Sequence, residues 1–498
     1  MRNGKRAVVF LAVFLAGCAA VGPDYKRPAM ETPPRWEEDR GKPAPAAGLE
    51  DAAWWESFGD PVLNGLIERA VKTNLDVEQA RARIVQARAT LAATGASVWP
   101  SATGTGTFSR SKDSENTVTT PSTPMDVSPY NAYNAGFDVS WEIDVFGGVR
   151  RSIEAAGANA EASIESLHDT VLTLLGDVAK YYVELRSAQE QLAITNQNAE
   201  TQQNTAAVTR ERYRLGLTTY LDVAQAETQR LTTESDVPTI DASIKQSIHR
   251  LGVLLGKDPN ALKAELSEAR PLPGVEGIAA AGLPSELLVR RPDLRQAERK
   301  LAAASAEIGV ATADLYPKFD LTLGMGLNSA TASKFLALSS GYWSLVPEVS
   351  TLLFDAGKTR ANIRGKRAVY DETLSAYRSA FLNALEEVEN ALTDYYTEQT
   401  RSGILTDSVR SAEEALALAD ERYRRGLINF LDVLEAQRTL YTAQSSLRKS
   451  DAKVLTSLIS LYKALGGGWS AAGTGLAAGE APSPRAAALS KTKQHTGT

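Results

Sequence analysis

The chain has 498 residues, 43% of them hydrophobic, with a formal net charge of −6 and a mean hydropathy of −0.22. That length exceeds one ordinary core, so duplication or several domains is expected, and the mild charge gives no reason to expect nucleic acid. The hydropathy excludes a bundle of membrane-spanning helices, and beyond the N-terminus no run of about 18 apolar residues occurs, so any contact with lipid is left to β-strands.

The first residues read as an export signal. Arg2, Lys5 and Arg6 precede an apolar run from Ala7 to Ala16, too short to span a bilayer and well placed for cleavage. The run ends in Leu15-Ala16-Gly17-Cys18, which resembles a bacterial lipoprotein signal: residues 1–17 removed, and Cys18 lipidated on its thiol and amine. Cys18 is the only cysteine, so it makes no internal disulfide. Ala19 resembles the residue that follows the cysteine in lipoproteins sorted to the outer membrane. Residues 18–60, rich in proline and charge, are expected to form an extended arm leading away from the lipid.

Asp60-Pro61 opens a helical, alanine-rich segment from Leu63 to about Thr94, with proline at a tolerated first position. A diverged copy follows later. Asn74–Pro100 aligns with Arg291–Pro317, matching Asp76 with Asp293, Gln79 with Gln296 and Ala80 with Ala297, and both end in an aromatic-proline pair. The chain is therefore read as two structural repeats, 61–257 and 285–466, joined by a Pro- and Gly-rich connector at 258–284. Residues 467–498 lack an apolar pattern and are expected to be a mobile tail.

After each aromatic-proline pair the period changes from helical to alternating. Phe137, Val139, Trp141, Ile143 and Val145 alternate with Asp138, Ser140, Glu142 and Asp144, and Phe319 to Leu327 alternates likewise with Lys318, Asp320 and Thr322. Strand hairpins are expected at about 97–146 and 315–354, each strand of roughly ten residues with one apolar face, the signature of a membrane strand. Pro347 suggests a bulge or strand end. Four strands cannot close a barrel, and open edges are not tolerated in lipid. Closure needs copies: two give eight strands, a barrel filled by its own side chains, and three give twelve, the smaller sufficient number if the polar faces line a conduit. By alternation Asp138, Glu142, Asp144 and Asp320 would face the lumen as solvated lining.

Proline is absent from Pro129 to Pro238 and from Pro347 to Pro482. Leu167, Val171, Leu174, Val178, Tyr181, Leu185, Ala188 and Leu192 follow a heptad seam, as do Leu374, Tyr377, Phe381, Ala384, Val388, Ala391 and Tyr395. A helix from about Val149 to Leu215 would be roughly 100 Å long. Two near-identical stretches end these helices: Glu211–Ala226, ERYRLGLTTYLDVAQA, and Glu421–Ala436, ERYRRGLINFLDVLEA. In each, Gly216 or Gly426 stops a helix at a left-handed position, and Thr219 or Asn429 caps the next. The tips therefore fall at 215–219 and 425–429. Pro238 is expected to kink or interrupt the first return helix.

Together the leader CAAVGPDYKRP, the strand WEIDVFGGVRRS, the FDAGKTR after the fourth strand and the paired RYRxGLxxxLDV tips resemble the outer-membrane efflux proteins. The likeness is to the TolC/OprM type, in its lipoprotein branch, the NodT-like outer-membrane factors of tripartite efflux systems. Leu352 departs from the pattern, because many members carry proline before the Phe-Asp. The resemblance implies a mainly α fold with a membrane β part. Tandem-duplicated long helical hairpins would form a periplasmic α-barrel, and four strands per chain would enter a twelve-stranded trimeric outer-membrane β-barrel.

It also implies a homotrimer anchored in outer-membrane lipid, acting as exit duct for an inner-membrane pump joined through a periplasmic adaptor. On this resemblance Asp432, Glu435, Leu431 and Tyr423 match a periplasmic gate, and Leu215, Gly216, Leu217, Arg425, Gly426 and Leu427 match an adaptor-docking surface. A local account of the two acids is also open: Asp432 complements a helix N-terminus, and Glu435 can pair with Arg438.

No enzyme or cofactor is expected. Of the three histidines, His168 and His249 lie inside helical runs and are read as without carboxylate or cysteine partners at ligand spacing, His495 lies in the tail, and no phosphate-binding glycine loop follows a strand. The competing class is a lipid-anchored periplasmic scaffold or adaptor without a channel. That class would show one hairpin, not two hairpins each coupled to alternating strands.

Overall fold

The computed structural model describes residues 20–38, 53–114, 128–274 and 284–470. Cys18, the leader, His495 and the tail beyond Ser470 lie outside these residues. Two helices, α1 (Pro61–Thr73) and α2 (Leu75–Ala96), lead into β1 (Ser101–Ser111) and β2 (Tyr130–Glu142). A 67-residue helix α3 (Gly148–Arg214) and its return α4 (Tyr220–Leu254) complete the first repeat. Short helix α5 (Lys263–Leu266) precedes the second, which holds α6 (Leu287–Arg290), α7 (Pro292–Ala313), β3 (Lys318–Ser329), β4 (Gly341–Ser350), α8 (Lys358–Arg424) and α9 (Phe430–Ala464). The second long helix also has 67 residues and its return 35, matching the first pair.

The chain divides into two compact units, both built from both repeats. One draws on the described residues of Met1–Ala29, Arg83–Ser163 and Gln296–Arg378; the other on Met30–Ala82, Ile164–Arg295 and Ser379–Thr498.

The first unit holds the sheet, a four-stranded antiparallel meander in the order β1-β2-β3-β4. Its ladders are unbroken, so one face carries Phe137, Met325 and Trp343 in register, and the other carries Thr103, Asp138, Gly324 and Ser344. Pro347 makes no bulge. It sits in register opposite Leu321, on an edge strand, where a missing N–H costs no ladder bond if it points outward. β4 ends at Ser350 instead of reaching Phe354.

The described part of the N-terminal arm has no helix or strand, and it is docked along the first unit. Val21 N–H donates to Phe146 O at 3.0 Å, and Arg151 donates to Val21 O at 3.1 Å and to Asp24 at 2.7 Å. Gly22 is pressed onto α7: a Cβ there would stand 2.4 Å from Gly309 Cα. Tyr25 donates to Glu298 at 2.5 Å, and burial with this acid neighbour pushes its phenol above the usual range.

The second unit holds the core of the helical seams. Leu167, Val171 and Val178 of the α3 seam are fully buried, as are Ala384 and Val388 of the α8 seam. The expected continuous helix over 63–94 is broken at Asn74, whose side chain accepts from Asp76 and Val77 N–H and donates to Leu254 O at 2.9 Å. Asn74 thus caps α2 and ties it to the end of α4. Helix α4 runs without interruption through Pro238. The packed chain also continues past Gly466: Trp54 Nε1 donates to Gly467 O at 3.2 Å, and Trp469 stacks on His168 at 4.3 Å.

Candidate gate and docking surface at the hairpin tips

Both tips belong to the second unit and are built alike. At the end of α3, Gly216 N–H donates to Tyr213 O and Leu217 N–H to Arg212 O at 2.9 and 2.8 Å. At the end of α8, Gly426 N–H donates to Tyr423 O and Leu427 N–H to Arg422 O at 2.9 and 3.0 Å. This paired closure satisfies the last carbonyls and needs a left-handed residue, and the two glycines have φ of 71° and 74°. Only Thr218 and Thr219, or Ile428 and Asn429, separate the closing leucine from the next helix.

The restart differs between the copies. Asp222 accepts from Thr218 Oγ1 at 2.5 Å and from Thr219 N–H at 3.0 Å. Partial burial pushes its carboxyl up, but these hydrogen bonds outweigh that and hold it below the usual range. Asp432 accepts from Asn429 N–H at 3.2 Å and, with nothing matching Thr218 beside it, stays exposed. Glu435 is exposed and pairs with Arg438 at 2.9 Å. Leu431 is exposed beside them. The expected gate residues therefore split: Leu431, Asp432 and Glu435 project outward, whereas Tyr423 is buried.

Tyr423 packs with Ala206, Ala226, Phe430 and Val433, joining the two hairpins. The Arg212 guanidinium lies 4.5 Å from its ring centre. The Tyr423 hydroxyl has no hydrogen-bond partner among the described residues. The tandem motif alone did not signal this arginine contact; the equivalent Arg422 is exposed instead.

The expected docking residues all lie at the surface of the turns. Leu217 and Leu427 are 64% and 68% exposed, Leu215 and Gly216 are exposed beside them, and Arg425 pairs with Glu421 next to Gly426. Tyr220 and Leu221, which the motif reading passed over, extend this exposed apolar surface.

Toward the end of α3 the seam changes character. Gln191, Thr195, Asn198, Gln202, Thr205 and Thr209 continue the heptad spacing with polar side chains. Three of them meet α9: Thr195 with Tyr441 at 3.2 Å, Asn198 with Gln444 at 3.1 Å, and Thr205 with Gln437 at 2.9 Å.

In the sheet, Asp138, Glu142 and Asp320 share the polar face. Glu142 stands opposite Asp320, which stands opposite Glu348. Like charges in register destabilise a sheet unless water screens them, so this face requires an aqueous side. Asp144 is not part of it. The strand has ended at Glu142, and Asp144 accepts from Val149 and Arg150 N–H at 3.2 and 2.9 Å, fastening the start of α3. Asp355 does the same before α8, accepting from Thr359 and Gly357 N–H at 2.7 and 2.8 Å; those bonds hold its carboxyl below the usual range.

A duplicated pair of capped helical hairpins, each coupled to two strands of a sheet with one apolar and one polar face, defines a channel-forming envelope protein. The outer membrane efflux protein family matches residues 66–257 and 283–467, and the chain belongs to that family. It is 32% identical over 480 residues to the pyoverdine export outer membrane protein OpmQ of Pseudomonas aeruginosa, covering 95% of this chain and 99% of that one. It is 31% identical over 452 residues to nodulation protein T of Rhizobium leguminosarum bv. trifolii, covering 90% and 94%. The solved outer-membrane channel OprN superposes with a TM-score of 0.85 at 33% identity, covering 91% of this chain and all of that one. The expected fold class, long helical hairpins in tandem with strands for a membrane barrel, is the fold of this family, whose members are efflux channels and not enzymes.

Proposed function

We propose that three copies of this chain form a closed outer-membrane duct that receives small molecules from an inner-membrane pump through a periplasmic adaptor. The observation that carries this is the sheet: four strands with one apolar face, one polar face bearing Asp138, Glu142 and Asp320, and two unpaired edges. Such a sheet is stable in lipid only when further copies close it. The long hairpins then carry the polar conduit into the periplasm, and their leucine-rich turns at Leu215–Leu217 and Arg425–Leu427 receive the adaptor. Asp432 and Glu435, with Leu431, ring the periplasmic entrance; Tyr423 braces the hairpin behind them.

The docked arm supports a lipid anchor. Ala20 packs against Gly147, where β2 gives way to α3, so the chain two residues after Cys18 is held at the foot of the sheet. Acyl chains on Cys18 would then reach the leaflet the barrel crosses. The names of its relatives give unlike cargoes, pyoverdine, cations and toluene, and on this reading the cargo of this duct is set by the pump that feeds it.

The reading is tested in cells lacking the chain and loaded with an amphiphilic fluorescent dye. Loss of the chain raises retained dye several-fold, and re-expression restores efflux. Equal retention across inducing conditions, with the chain present in the outer membrane, contradicts an export role.

A further inference from the structure

Trp99 lies between α2 and β1, at one open edge of the sheet. Its backbone is fixed: its N–H donates to Ala96 O at 3.0 Å, and the preceding Val98 O accepts from Trp141 Nε1 at 2.9 Å. Its ring is nevertheless 71% exposed. At the other open edge the chain just beyond β4 carries three apolar residues without cover, Leu352, Leu353 and Phe354, the second of them 92% exposed. Beside them is an open-sided cavity of about 810 Å³ whose wall includes Tyr316, Lys318, Leu352 and the carboxylates of Asp314 and Asp355.

The two features lie at the same end of the sheet, because Ser101 pairs toward Ser140 and Lys318 toward Ser350. Within one chain they cannot meet. Three strand spacings separate β1 from β4, roughly 14 Å. Between copies they must approach. β1 has 11 residues and β4 has 10, and matching their extents in an antiparallel pair sets Ser101 opposite Ser350. Two residues before Ser101 and two after Ser350, Trp99 is level with Leu352.

We propose that Trp99 of one copy seats in the cavity beside Leu352 of the next, pinning the ring of copies together where strands meet helices. The occupant is a second copy of this chain, so the inference rests on the barrel reading given above. A buried indole needs an acceptor for its N–H, and the cavity wall offers the carboxylates of Asp314 and Asp355. The uncovered apolar residues after β4 supply the contact area.

The test uses two full-length chains, Trp99→Cys and Leu352→Cys, co-expressed and oxidised in the membrane. Their Cα atoms in one chain are too far apart for a disulfide, so any bond joins two copies. A reducible mixed dimer as the major product is expected, absent when either variant is expressed alone, which also accounts for Cys18. The double variant should give a covalent trimer that survives boiling until reduced. The same samples, run unboiled, report the assembly itself. Intact trimers without the cross-link overturn this inference and leave the barrel standing. Absence of any trimer overturns both. In support, Trp99→Ala should lower the temperature at which unboiled trimers dissociate, and Trp99→Phe should restore most of it.

Discussion

Gly426 has a backbone φ of 74°, and nothing lies within 4 Å of where its Cβ would be. An alanine there meets no clash, only the cost of a left-handed L-residue, on the order of 1–2 kcal/mol. Gly426→Ala should therefore lower stability by that amount in denaturant unfolding, and an unchanged midpoint would contradict the turn geometry. Tyr423 tests a different point. Its hydroxyl is buried and without a partner among the described residues, while its ring is held by Arg212 and Phe430. Removing an unsatisfied buried hydroxyl is neutral or stabilising by up to about 1 kcal/mol. Tyr423→Phe should leave or raise the thermal midpoint of the protein. A clear loss of stability would mean the hydroxyl finds a partner on a neighbouring copy.

Capping was readable at this scale because its partners are three residues apart. Thr219 with Asp222 and Asn429 with Asp432 could be placed from spacing alone. Asp144 could not, because alternation continues through Val145 while the strand stops at Glu142. Which of the two patterns prevails depends on where β3 runs out of residues to pair. The burial of Tyr423 could not be read for a related reason: motif position says nothing of which side of α8 faces the other hairpin.

At the scale of elements, Pro238 is the clearest departure. It lies inside the 35-residue α4 and is exposed. The helix persists because packing of Val223, Ala226, Thr233, Ile244 and Ile248 spans the proline on both sides. The missing N–H and the ring's crowding of the preceding turn remain a cost. Pro238→Ala should stabilise by about 1–3 kcal/mol, read as a higher unfolding midpoint; a fall would show that the proline itself is needed for packing. The long helices and their seam were legible from heptad spacing. The docking of the N-terminal arm was not, since Gly22 on Gly309 and Tyr25 on Glu298 join positions far apart in sequence. The packing of Trp469 on His168 was hidden likewise, because a lone tryptophan in a glycine-rich stretch offers no period.

At the scale of the molecule, charge buried in the second unit makes stability depend on pH. Burial pushes the Asp169 carboxyl up and Asp293 adds to this, against the pull of Arg291 and Lys463. An acid raised in the fold costs stability wherever it is ionised. The cost is absent below the unfolded value near 3.8 and complete above the folded one. Asp169→Asn should therefore raise the melting temperature by about a few degrees at pH 7.5 and far less at pH 4. Equal gains at both pH values would contradict the assignment.

The account stands or falls on whether these copies enclose a conduit. Single-channel conductance of the purified protein in planar bilayers decides that, comparing the unaltered chain with Asp432→Ala/Glu435→Ala. The account predicts a small cation-selective conductance that rises and loses selectivity when the two carboxylates are removed. A folded, membrane-inserted protein that conducts no ions in either form would contradict it.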